Sequence, residues 1–164
     1  MKLVPPNSFH LQATLGWLEL DNHLEANEEL EKIEPALRAE PEVLEVRWRI
    51  YARARKWDAC VDLGETLVRL SPEEPNSWIH RSFALHELKR TREALDKLLP
   101  AYDVFPEQPI IPYNLACYEC QLGNLKDAFD YLEQAFAVGD PKEVKLMALD
   151  DPDLEALWAE ISEI

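Results

Sequence analysis

The sequence predicts an all-α fold: a right-handed α-solenoid of four helix–turn–helix repeats closed by a C-terminal capping helix. Three observations carry that expectation. Alanine, leucine and glutamate are abundant in a chain of 164 residues that has only four glycines and no runs of valine, isoleucine and threonine, a balance that favours helix over sheet. Small and apolar residues recur every 34 positions, without a gap, over most of the chain. Within each such unit the apolar residues recur at spacings of three and four, the period of a helix face.

The register is set by a column of small residues, Ala26, Cys60, Ala94 and Ala128. Four positions later stand Leu30, Gly64, Leu98 and Leu132; seven later stand Ile33, Leu67, Ala101 and Ala135. Each unit divides into two helical segments at a turn. In the fourth unit that turn is "LGN", where Gly123 supplies a helix stop; in the second and third it is "RKW" and "KRT". Pro72 and Pro106 close two units at the same column, and Asp140 with Pro141 stands there in the fourth. On this register residues 1–141 hold four repeats, 7–40, 41–74, 75–108 and 109–141, and residues 142–164 belong to the same domain as its cap. There Asp151 and Pro152 form a helix start, cap then first-turn proline. Leu154, Leu157, Trp158 and Ile161 form one apolar stripe. A stacked array leaves its last apolar face bare, and the stripe is expected to cover it; the other reading is a docking helix for a partner.

A 34-residue period with two helices per unit resembles the tetratricopeptide repeat family. The third unit carries that family's tryptophan, small, small and proline columns as Trp78, Ala94, Ala101 and Pro106. The fourth carries its leucine, glycine and alanine columns as Leu115, Gly123, Ala128 and Ala135. The resemblance covers about four-fifths of the chain. The departures are His10 in place of a bulky aromatic, Arg47 and Arg81 in place of leucine, and Gly64 in place of a bulky ring. A glycine inside a helix costs about 1 kcal/mol against alanine; Gly64 either thins the packing or lets a neighbour come close.

The formal net charge of −15 repels nucleic-acid backbones and argues against general nucleic-acid binding. The start, "MKLVPPNSFH", has no apolar stretch of signal-peptide length, and no window approaches a membrane-spanning run. The expected setting is cytoplasmic. Three cysteines, an odd number, exclude a full disulfide framework.

Cys117 and Cys120 have the C-x-x-C spacing of zinc sites and redox pairs. A redox pair needs a helix N-terminus to lower its thiol pKa, yet these two lie more than a turn inside the helix that Pro112 opens. A zinc site needs about two further ligands, and of the four histidines only His80 and His86 could approach. Both cysteines are therefore read as small core residues, with no metal and no cofactor expected. The carboxylates of "DNHLEANEELEKIE" are read as a solvated face. No phosphate loop and no nucleophile elbow occurs, so no catalytic residue is assigned and no enzyme activity is expected.

Stacked helix pairs present the first helix of each pair on a concave side. Helical spacing puts Arg49, Arg53, Ile79, His80, Phe83, Tyr113 and Asn114 on that side as candidate partner-binding residues. "VRWRIYARARK" concentrates Arg47, Arg49, Arg53, Arg55 and Lys56 in an acidic chain. These cations either cradle a carboxylate of a partner or neutralise neighbouring glutamates such as Glu42 and Glu45. Some members of the family grip the C-terminal carboxylate of heat-shock chaperones with a lysine–asparagine–arginine clamp. Asn114 matches its asparagine, but Glu45 and Ile110 stand where cations are needed, so chaperone-tail binding is not implied. The expected function is a non-enzymatic interaction module or adaptor that binds a peptide or protein segment in the concave groove. One alternative is a small acidic bacterial secretion or assembly chaperone. The other is a metal or redox protein using the C-x-x-C pair.

Overall fold

The computed structural model describes residues 3–164 and, among them, ten α-helices and no strand. Their order is α1 (Asn7–Glu19), α2 (His23–Leu30), α3 (Pro41–Arg53), α4 (Trp57–Leu70), α5 (Pro75–Glu87), α6 (Thr91–Val104), α7 (Ile110–Gln121), α8 (Leu125–Val138), α9 (Pro141–Asp150) and α10 (Trp158–Glu163). Short 3-10 turns stand at Pro35–Leu37 and Pro152–Leu157. The architecture is a helical repeat of the α-solenoid class with a C-terminal cap. The chain forms two compact units, the first ending at Ala84 and the second beginning at Leu85.

The same turn closes the first helix of all four pairs. Asp21, Arg55, Lys89 and Gly123, spaced 34 apart, have φ of 56°, 54°, 63° and 84°. In each case the next residue donates its N–H back across the turn: Asn22 to Trp17, Lys56 to Tyr51, Arg90 to Leu85 and Asn124 to Glu119, all at 2.9 Å. This is the Schellman closure, which needs a left-handed residue after the helix. Only the fourth copy uses glycine; the other three hold the conformation against its steric cost.

The small-residue column is the line of closest packing. Ala26, Cys60, Ala94 and Ala128 all have 0% exposure. In the first unit Leu18, Leu30, Ile33, Val43, Val46 and Ile50 from α1 to α3 are buried in one cluster, and Trp48 of α3, Cys60 and Leu67 of α4 and Ala84 of α5 in another. In the second unit Leu98, Ile111, Leu115, Leu132, Leu154 and Ile161 are fully buried.

Two departures from the family pattern explain each other. A β-carbon on Gly64 would stand 2.7 Å from the Cα of Arg81, so Gly64 allows α4 and α5 to touch backbone to backbone. The Arg81 side chain stays buried, 6% exposed. Its Nη1 donates to Glu65 Oε2 at 3.1 Å, and its guanidinium lies 5.1 Å from the Trp78 ring. Arg47 sits 34 residues earlier and donates to Glu31 Oε1 at 2.6 Å; Glu31 likewise precedes Glu65 by 34. The column that next holds Leu115 is thus an ion pair in two successive copies.

The C-terminal segment is not one helix. Helix α9 packs on α8, the 3-10 turn packs on α7, and α10 folds back on α9. Asp140 caps α9 by accepting the N–H groups of Lys142 and Glu143 at 2.9 and 3.0 Å. Asp151 does cap the next segment, accepting the Asp153 N–H at 3.0 Å. That segment, Pro152–Leu157, is the tighter 3-10 form before α10, and the carboxylates of Asp151 and Asp153 at its head reach α7 and α5.

Candidate partner-binding faces

In the first unit the candidate face is built by α3 and α5. Trp48, 6% exposed, stacks on His80 with ring centroids 3.9 Å apart and planes 8° apart. Phe83 stands edge-on to Trp48 at 6.4 Å and to Trp57 at 5.8 Å. The result is a run of four rings, held because α3 and α5 each offer an aromatic residue at the surface where they meet. Phe83, between the two tryptophans, remains 37% exposed. His80 Nε2 lies 3.5 Å from Glu45 Oε1, and hydrogen bonding from His80 holds the Glu45 carboxyl below the usual carboxylate range. Ile79 is half-buried nearby in sequence.

The arginines divide. Arg47 is bound to Glu31, which also accepts Arg38 at 2.7 Å, and Arg53 is bound to Asp21. The acidic partners lie at the two ends of α2, not at Glu42 and Glu45, because Arg47 and Arg53 project toward the preceding pair. Arg49 is exposed, and its charge adds to the lowering of Glu45.

In the second unit the corresponding face of α7 is covered by the chain's own C-terminal segment. Tyr113 Oη donates to Asp151 Oδ2 at 2.8 Å, and Cys117 Sγ donates to the same oxygen at 3.6 Å. Gln121 Nε2 donates to the Asp153 carbonyl at 2.9 Å. His86, from the end of α5, places Nε2 2.7 Å from Asp153 Oδ2 and Nδ1 2.9 Å from Thr91 Oγ1, with its ring against Tyr118. Tyr113 is 6% exposed and Asn114 half-buried, so the tail stands against Tyr113, one of the residues expected to face a partner.

Sequence reasoning did not single out Asp151 and Asp153 as partners of this face. The available signal was two carboxylates two residues apart at the head of an apolar stripe, opposite a helix whose inner positions include Tyr113 and Cys117.

The thiols are arranged for packing. Burial pushes Cys60 up to about 12. Burial, then the charges of Asp151 and Asp153, pushes Cys117 well above its usual value. Burial also raises Cys120. Thiol exchange requires the opposite shift. Among the described residues no group of three or more histidine, cysteine or acidic side chains is disposed to hold a metal ion, and no helix is long and apolar enough to cross a membrane.

Repeats of two helices, a left-handed turn between them and a small-residue seam define a tetratricopeptide-like fold, and comparison with solved structures agrees. MamA residues 41 to the end from Desulfovibrio magneticus RS-1 superposes with a TM-score of 0.74 at 15% identity, covering 99% of this chain and 96% of that one. MamA from MSR-1 gives 0.67 at 20% identity, covering 80% of this chain and 76% of that one. PcrH, solved in complex with the chaperone binding region of PopB, gives 0.57 at 21% identity, covering 75% of this chain and 92% of that one. The sequence matches no family model and no curated protein.

Proposed function

We propose that the chain is a non-enzymatic protein-interaction module that holds a peptide or protein segment on the faces of its first helices. The observation that carries this reading is Phe83. A phenylalanine 37% exposed and held edge-on between two tryptophan rings is a preformed apolar anchor, and aromatic anchors of this kind dominate binding energy at interfaces. Exposed Arg49 lies on the same unit and suits a partner bearing carboxylates; Arg53 beside it would have to exchange Asp21 for the partner. Ile79 and His80 complete the candidate set there; Asn114 and Tyr113 belong to the second unit. The repeats are assigned to residues 7–40, 41–74, 75–108 and 109–141, and the module is assigned to the cytoplasm.

A second reading, a chaperone that holds a client protein, is supported by one observation. The PcrH structure, similar in fold over most of its length, contains the chaperone binding region of PopB. The two readings differ in the partner, not in the face.

A photo-crosslinking residue at position 83 tests both. We expect it to capture a discrete protein in cells, while the same residue at Asp62, exposed on α4, does not. Equal capture from both positions, or none from position 83, overturns the assignment. A captured protein that aggregates without this chain identifies the chaperone reading.

A further inference from the structure

We propose that the α7 face of the second unit is a receptor for acidic turn segments, and that residues 151–157 occupy it as a resident competitor. The partner it fits carries two carboxylates two residues apart, the first capping its own turn, followed by leucine. This rests on the interaction-module reading and names the partner chemistry of a second face.

Covering the last apolar surface of a helical array needs apolar side chains, and Leu154, Leu157 and Ile161 supply them at 0%, 3% and 0% exposure. The polar contacts exceed that requirement. Tyr113, Cys117 and His86 are 6%, 4% and 5% exposed, and each aims a donor at a carboxylate of the segment. Burying donors is costly unless an acceptor arrives, and apolar residues of similar size would cover α7 as well or better. A face built in this way is selective: it admits a segment with carboxylates in these two places and disfavours one without them. Gln121 reads the backbone of the same segment at the Asp153 carbonyl. The segment is also joined as a ligand would be. It follows α9 through a break at Asp151, where the backbone leaves the helix (φ −92°, ψ 111°), so it can leave α7 while α9 stays on α8.

A labelled synthetic peptide of residues 150–163 tests this by fluorescence anisotropy against the full chain. We expect the Asp151→Ala, Asp153→Ala double variant, whose own segment is loosened, to bind the peptide at least about tenfold more tightly than wild type. Adding His86→Ala should remove the gain, and a peptide with both aspartates changed to asparagine should bind poorly. Phe83→Ala should leave peptide binding unchanged, which separates this face from the one on α3 and α5. Absent or aspartate-independent binding by a folded double variant overturns the proposal. Should that variant not fold, hydrogen exchange on wild type decides. Amides of 153–161 exchanging while α7 and α8 stay protected supports a removable segment. Exchange of all three only together makes the segment a fixed part of the fold and overturns the receptor.

Discussion

The β-carbon that Gly64 lacks would lie 2.7 Å from the Cα of Arg81. No rotamer change relieves a contact with backbone, so Gly64→Ala must push α4 and α5 apart. Alanine gains about 1 kcal/mol of helix propensity, but overpacking costs typically 1–3 kcal/mol, and the shift also disturbs the Arg81–Glu65 pair. Urea unfolding should give a lower midpoint for Gly64→Ala; an unchanged or higher midpoint would show that the helices are not in backbone contact.

The four turn residues make an internal comparison. Gly123 has open space around the position a β-carbon would take, so Gly123→Ala tests conformation alone and should cost about 1 kcal/mol. Lys89 holds φ of 63° with a full side chain. Lys89→Gly relieves that strain at the expense of unfolded-state entropy and should gain roughly 0.5 kcal/mol. Opposite signs for the two variants in denaturant titrations are the expected outcome; equal signs would contradict it.

Acid should loosen the C-terminal segment. Hydrogen bonding from His86 is the main cause that holds Asp153 below its usual range; burial opposes it, while the charges of His86 and Lys89 assist. Its stabilisation is therefore complete above the ordinary aspartate value of about 3.9 and is lost as pH falls through the lower folded value. Asp151, Tyr113 and Cys117 also face this point. Glu45, held down by His80 in the first unit, has the same sign. The Asp153→Asn variant should be less stable than wild type at neutral pH and should lose less on further acidification, as followed by circular dichroism. Parallel pH profiles would mean that the pair contributes nothing.

Thiol chemistry gives a direct check on the core. Cys60 and Cys117 are buried with raised pKa values, so neither forms thiolate readily near neutral pH. A thiol reagent at pH 8 should find both silent in the native protein and reactive once it unfolds. Rapid labelling of Cys117 in the native state would restore the reactive reading of the C-x-x-C pair.

The helices were legible because their signals are local and repeated. The small column from Ala26 to Ala128 forces close contact wherever it recurs, and the 34-residue spacing places each turn. The partners of the charged residues were less legible. Gly64 and Arg81 looked like two unrelated departures, and their contact joins residues of different helices. The candidate face on α7 was harder still. Helical spacing put Tyr113 on the candidate side of α7, but spacing within a helix does not say which segment arrives there. Asp151 reaches Tyr113 across 38 residues, a separation that no periodicity encodes.

The most direct test of the central claim is hydrogen exchange on the complex with the protein captured from position 83. The account predicts added protection in residues 45–53 of α3 and 76–84 of α5, with α4 unchanged. Protection confined to α4, or no change on α3 and α5, would contradict it.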